Sequence, residues 1–125
     1  MNIDFANLPL QYQKYKTDID INIRVVLDKS NYIMGEEIRE LERALEAFTG
    51  AKHAITCSSG TDALLLAMMA MDIQPDDEII TTPFTFIATA ETIALMKAKP
   101  VFVDVDPVSY NINPNLIEAA ITDKT

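Results

Sequence analysis

The chain has one cysteine, Cys57, and one histidine, His53. A lone cysteine cannot close an internal disulfide. A histidine with no cysteine or carboxylate cluster at metal-ligand spacing offers no metal site, so His53 reads as a structural residue at the start of a strand. No apolar run reaches the roughly 18 residues that a membrane span needs, and no basic stretch precedes an apolar leader segment. Positive charge is scarce as well, with 10 lysines and arginines against 19 acidic residues and a formal charge of −9. That balance repels phosphate backbones and anionic membrane surfaces unless a local basic patch intervenes, and the sequence has no such patch. Nucleic acid and membranes are therefore not expected partners, and the cytoplasm is the expected location. The three glycines, Gly35, Gly50 and Gly60, form neither G-x-G-x-x-G nor a P-loop with its G-K-S/T. Dinucleotide and mononucleotide fingerprints are both missing.

What remains is a globular composition, 49% hydrophobic and 23% charged, with no internal repeat and no low-complexity linker. From Gln11 to Lys29 the apolar residues Tyr15, Ile19, Ile23 and Val26 or Leu27 recur at helical steps. A turn near Ser30 follows, and then "EEIRELERALEAFTG" sets Ile38, Leu41, Leu45 and Phe48 on one face, with Gly50 placed to end the helix. The charges of that second helix read as a solvated face.

After Gly50 the pattern changes to strand, helix, strand. "HAITC" is a short β-branched run, Ala63 to Met71 is apolar all round, "QPDDE" is turn chemistry and "EIITT" reads as a second strand. "FIATAETIALMKA" then reads as a helix, "PVFVDVD" as a third strand, and Asn113-Pro114 as the cap of a last helix. Alternating short strands and helices predict an α/β fold, parallel strands with helices on both faces, preceded by two N-terminal helices. The expected division is an N-terminal helical segment at 1–50 and an α/β region at 51–125. The chain stops at "ITDKT", just after a helix, where the alternation predicts another strand.

"SSGTD", residues 58–62, falls where a strand ends and a helix begins, at the carboxyl edge where open α/β sheets bind ligands. Free N–H groups and the positive end of the helix dipole suit a phosphate there, and glycine permits close approach. Ser, Thr and Asp are also ordinary N-caps, and on spacing alone capping without a ligand is the commoner case. Cys57 is expected to be a buried, inert thiol at a strand end, Met68, Met69 and Met71 to be packing residues, and Asp104 and Asp106 to cap a loop.

"SSGTDALLLAMMAMDIQPDDEIITTPFTFIATAETIALMKAKPVFVDVDPVSYNINPNLIEAAI" resembles the DegT/StrS group of pyridoxal-phosphate-dependent sugar aminotransferases. The group's pattern is S/N-G-T-D-A-L, then G-D-E-V-I-x-P-x-F-T-F/Y-x-A-T, then A-K-P-V-F-V-D-V-D. "IDFANLPLQY" and "NYIMGEEIRELERALEAFTGAKHAI" resemble its opening segments, so the likeness covers essentially the whole chain. The resemblance implies a fold type I aminotransferase of about three times this length, of which this is the N-terminal third and 51–125 the truncated start of the cofactor-binding large domain. It implies pyridoxal phosphate as cofactor, glutamate and a nucleotide-linked ketosugar as substrates, a homodimer or other self-association, and a role in cell-surface polysaccharide biosynthesis. The wording around "TFIATAETIAL" is closest to enzymes that aminate a 3-keto sugar uronate. By the same carry-over Gly60, Thr61 and Asp62 hold the cofactor phosphate and Phe86 stacks on the pyridine ring; Phe84, two residues earlier, is expected to point to the opposite side of an extended segment and to fill the core.

Two departures qualify that expectation. The family's Schiff-base lysine and its pyridinium-pairing aspartate match nothing in this chain: none of the seven lysines falls at a catalytic position, and Asp104 and Asp106 belong to the "VDVD" segment. The 125 residues alone are thus expected not to transaminate and to keep the cofactor weakly or not at all. Glu36 stands where the family has proline in G-P-E, which bears on the turn from Tyr32 to Glu37. The alternative function is a non-catalytic phosphate-binding or structural α/β module that partners another chain.

Overall fold

The computed structural model describes residues 6–125, which fall into two compact units, one ending at Thr56 and one running Cys57–Thr125. The first unit opens with α1 (Leu8–Lys29). Asn7 starts it by accepting the Leu10 amide at 3.0 Å, Pro9 sits in the first turn, and Ser30 ends it in the left-handed region at φ 51°. No side chain of α1 is buried.

Gly35 precedes α2 (Glu36–Thr49), and its lack of a side chain is structural: a Cβ there would lie 3.0 Å from the Asn31 carbonyl and 2.9 Å from the Glu37 carboxylate. Glu36, the departure from the family's proline, begins the helix as one of two first-turn acids that suit the positive end of its dipole, and it pairs with Arg43 at 2.6 Å. Lys29 at the end of α1 reaches Glu37 at 2.7 Å. Gly50, at φ 74°, terminates α2 with its N–H on the Glu46 carbonyl, as the sequence implies.

The expected strand at 53–57 does not form. Residues 50–57 carry no ladder, and Ile55 is 83% exposed. Carboxylates of α2 take the place of a neighbouring strand: Glu42 accepts both the amide and the hydroxyl of Thr56 at 2.9 Å, and Glu46 accepts the Ala54 amide at 3.1 Å. A strand needs a paired edge to satisfy its polar groups, and side chains supply that pairing here. The Thr56 amide and then its hydroxyl hold the Glu42 carboxyl below its ordinary value. A depressed carboxyl contributes stability that is present above its unfolded pKa, about 4.3, and is lost as pH falls through the lower folded value. We expect the Thr56 amide signal to move and its exchange protection to disappear across that acid window. An amide titration in which Glu42→Ala still behaved like the parent would contradict it.

In the second unit, α3 (Gly60–Ala70) leads through the Gln74–Asp77 turn into β1 (Glu78–Thr81), α4 (Ala88–Leu95) follows, and β2 (Lys99–Phe102) pairs parallel with β1 in the register Glu78 with Lys99 and Thr81 with Phe102. Parallel pairing requires such a crossover, and α4 packs against α3 and both strands. Met68, Ile93 and Ala98 form the buried core, with Ile73, Ile79 and Met96 packed around them. Thr92 is also buried, its hydroxyl donating to the Ala88 carbonyl at 2.8 Å. The chain is therefore a partial α/β domain whose two strands correspond to the expected second and third.

Several local expectations fail. The segment after Asn113 forms not an α-helix but two 3₁₀ turns, Pro114–Leu116 and Glu118–Ala120, although Asn113 does cap by accepting the Asn115 amide. Among the three methionines only Met68 is buried, whereas Met69 and Met71 are exposed, as are Leu64 and Leu66 of the same helix. One face of α3 meets α4, and nothing among the described residues covers the other.

Candidate functional site

The residues at the start of α3 are built as a helix mouth. Ser59 is extended, at φ −159° and ψ 166°, and its hydroxyl oxygen accepts the Asp62 amide at 3.1 Å while its carbonyl accepts the Ala63 amide at 3.0 Å. The Asp62 carboxylate turns back to accept the hydroxyls of Ser58 and Ser59. Those two bonds, Ser58 first, hold its carboxyl below the ordinary value. Capping without a ligand expects Ser59 or Asp62 to be bonded back to the helix, and Ser59 is: by accepting the Asp62 amide it takes that donor away from a phosphate, whereas Ser58 has no role assigned from the sequence.

Two donors remain. The Gly60 and Thr61 amides have no acceptor among the described residues, and neither does the Thr61 hydroxyl. Gly60 is part of the helix without the left-handed backbone that would demand glycine, and a Cβ placed on it meets nothing within 4 Å. Folding does not explain this glycine. Free N–H groups at the positive end of an 11-residue helix, beside a position where only close approach of another molecule would justify a missing side chain, fit an anion such as a phosphate. The Asp62 carboxylate is the unfavourable element, and its two hydroxyl partners are what keep it turned back.

The mouth lies at the carboxyl edge of the sheet. Leu64, one turn into α3, lines a groove of about 250 Å³ with Thr81 at the end of β1 and Thr89 in the first turn of α4. Phe86 belongs to the segment that joins those last two elements, and its carbonyl accepts the Thr89 amide at 3.1 Å. The Phe86 ring is 75% exposed rather than packed in the core. None of Gly60, Thr61, Asp62 and Phe86 lines that groove, but Leu64 of the same helix and Thr81 and Thr89, which flank the Phe86 segment, do. Phe84 departs from its expected role: it is 65% exposed, and its ring packs on Tyr110, with centroids 5.8 Å apart.

Cys57 is exposed, not buried, and its thiol donates to the Ser59 carbonyl at 3.2 Å. Asp106 caps its loop through the Val108 and Ser109 amides, and Asp104 accepts the Val105 amide, as expected for loop carboxylates. A cavity of about 340 Å³ in the first unit, lined by Asn22, Ile23, Val26, Leu27 and Glu37, has one charged group, and Lys29 already pairs with it. Among the described residues no group of acidic, histidine or cysteine side chains could hold a metal, and no helix is long and apolar enough to cross a membrane.

Residues 13–125 match the DegT/DnrJ/EryC1/StrS aminotransferase family. The chain is 51% identical over 98% of its length to the UDP-2-acetamido-2-deoxy-3-oxo-D-glucuronate aminotransferase of Pseudomonas aeruginosa, of which it covers 34%. Its fold superimposes on a DegT DnrJ EryC1 StrS aminotransferase from Brucella abortus with a TM-score of 0.93 and 42% identity, covering 96% of this chain and 32% of that one. NtdA from Bacillus subtilis with bound cofactor PMP superimposes with a TM-score of 0.87 at 30% identity, over 90% of this chain and 26% of that one. The chain spans about a third of the length of the curated relatives it matches.

Proposed function

The chain belongs to the DegT/DnrJ/EryC1/StrS aminotransferase family, and from that premise we propose that it supplies the phosphate cradle and stacking face of a pyridoxal-phosphate enzyme that moves an amino group from glutamate to a nucleotide-linked ketosugar. The 51% identity to the Pseudomonas enzyme favours a 3-keto sugar uronate as acceptor, and cell-surface polysaccharide biosynthesis as the setting belongs to the same proposal. When bound, the cofactor supplies the electron sink for amino transfer. The chain's own contribution is to bind and orient.

In this reading the Gly60 and Thr61 amides and the Thr61 hydroxyl hold the phosphate at the end of the α3 dipole, Asp62 closes the helix mouth behind them, and Phe86 covers one face of the ring. The observation that carries it is Gly60, a glycine with open space where its side chain would be and no backbone strain to require it. No lysine here matches the family's nucleophile, so these residues by themselves bind without transaminating. Self-association, a homodimer in the longer protein, belongs to the same proposal, because the exposed face of α3 presents Leu66 and Met69.

A second reading has one observation in its favour. Ser59 already caps α3 through the Asp62 amide, which is what a phosphate-free structural module would also show. Titration with pyridoxal phosphate, followed by absorbance and by equilibrium dialysis, separates the two when made on this chain and on a version extended to the length of its relatives. The aminotransferase reading expects saturable binding by the extended protein, weakened in Phe86→Ala by about two- to twelvefold, the loss of one aromatic stacking contact. Binding by neither protein, or binding indifferent to Phe86, would leave the structural module.

A further inference from the structure

We propose that Tyr110 is a positioning residue for the cofactor face: its ring clamps Phe84 and so fixes the Pro83–Ile87 segment from which Phe86 projects. The inference rests on the reading of Phe86 as the stacking residue.

The segment has few ties of its own. It lies outside the ladder, and its ends are held by the Phe84 amide on the Thr82 hydroxyl at 3.2 Å and by the Phe86 carbonyl on the Thr89 amide at 3.1 Å, with a Thr85 to Thr89 hydroxyl contact at 3.3 Å between them. The Ile87 carbonyl also accepts the Ala90 and Glu91 amides at 3.1 and 2.9 Å, and every one of these ties involves neighbours close in sequence. Among the described residues no hydrogen bond joins the segment to a distant element; its tie there is the Phe84 ring against Tyr110, with centroids 5.8 Å apart and planes tilted by 37°, inside the range of paired aromatics.

Tyr110 is presented from a braced loop. The Asp106 carboxylate accepts the Val108 and Ser109 amides at 3.0 and 2.8 Å, the Tyr110 amide donates to the Asp106 carbonyl at 2.9 Å, and the Asp106 amide donates to the Asn111 carbonyl at 2.8 Å. Val105 and Ile112 close the loop as an isolated bridge. This loop follows β2 and the Phe84 segment follows β1, so the clamp joins the two loops that leave the carboxyl ends of the parallel pair.

Backbone conformation points to the ring as the reason for this residue. Tyr110 sits at φ 59°, a region where glycine or asparagine would be less strained than a bulky aromatic. Such strain persists where the surroundings hold it and is a reason to look for a role. The phenol has no hydrogen-bond partner among the described residues, which leaves the contact with Phe84 as what the side chain does.

Two substitutions separate ring from backbone. Tyr110→Asn removes the ring and tolerates positive φ, whereas Tyr110→Phe keeps the ring. In the chain as it stands, hydrogen exchange of the Phe84 and Thr89 amides is expected to quicken about two- to twelvefold in Tyr110→Asn, relative to the sheet amides of Lys99 and Val103, and to stay at the parent rate in Tyr110→Phe. Phe84→Leu should reproduce the effect, and adding Tyr110→Asn to it should change nothing further. Equal exchange in Tyr110→Asn and the parent, or additive effects in the double variant, would overturn the clamp. In a version extended to the length of the relatives, the dissociation constant for pyridoxal phosphate should rise in Tyr110→Asn and be restored in Tyr110→Phe. Faster exchange with unchanged cofactor affinity would instead leave the clamp standing and overturn the assignment of Phe86.

Discussion

Ile93→Ala is expected to destabilise the second unit by about 2–5 kcal/mol, the range for truncating a large aliphatic side chain in a core. Ile93 is 2% exposed and stands at the centre of the cluster formed with Met68 and Ala98. The site has little capacity to collapse, because it joins three elements: Met68 belongs to α3, Ile93 to α4, and Ile79 to β1. A domain of this size has only a few kcal/mol of net stability, so the loss is comparable to the whole. Ile93→Val removes one methylene and should cost about 0.5–1.5 kcal/mol. Met69→Ala, on the exposed side of α3, should stay within about 0.5 kcal/mol of the parent. Urea unfolding, followed through the amide signals of residues 57–125, ranks the three. An Ile93→Ala variant no less stable than Met69→Ala would mean that the cluster is not what holds α3, α4 and the sheet together.

The elements that were legible in the sequence are those whose signals are local. Gly50 carries the left-handed end of α2 and "QPDDE" the turn into β1, while the first helix, read from Gln11, begins at Leu8. The apolar period read over this helix, from Ile87 through Ala90 and Ile93 or Ala94 to Met96 or Lys97, is met at Ile93, which is buried, and fails at Ile87, which is exposed. What failed depends on partners at a distance. "HAITC" has the composition of a strand, but a strand exists only when an edge pairs with it, and here Glu42 and Glu46 occupy its amides instead. The burial of Cys57, Met69 and Met71 was inferred from apolarity, yet an apolar side chain is buried only if something covers it. Phe84 was assigned to the core on the premise that it faces away from Phe86, but residues two apart in an extended segment share a face, and the segment after β1 has in any case left the ladder. Asn113-Pro114 signals a helical start without fixing its length, and only 3₁₀ turns follow.

The candidate site divides in the same way. That Gly60, Thr61 and Asp62 open a helix is written in the local sequence. That the mouth shares an edge with the Phe86 segment follows from α3 running back along β1, which only the packing of Leu64 near Thr81 and Thr89 reveals. The tie between Phe84 and Tyr110 joins residues far apart in sequence, and neither residue type announces it.

Gly60→Ala should move stability and cofactor affinity in opposite directions. Considered as folding alone the substitution is benign: the added Cβ meets no atom within 4 Å, the position is helical, and no positive φ has to be kept. Alanine in place of a helical glycine stabilises by up to about 1 kcal/mol, less in a first turn, so the thermal midpoint should hold or rise. Considered as a cradle, the same position is costly to fill, because a phosphate held by the Gly60 and Thr61 amides must approach the backbone within hydrogen-bond distance, about 2.7–3.2 Å, and a methyl group beside those donors keeps it away. Affinity for pyridoxal phosphate in the protein extended to the length of its relatives should fall at least about tenfold, or roughly 1.4 kcal/mol, and further in Gly60→Val. Inorganic phosphate as competitor should lose potency in parallel, since it would use the same donors. A general disturbance of the helix start would instead lower stability and affinity together. Retention of parental affinity by both variants, with stability unchanged, would return Gly60 to an ordinary helix start and Ser59 to an ordinary cap, and the phosphate would have to be held elsewhere.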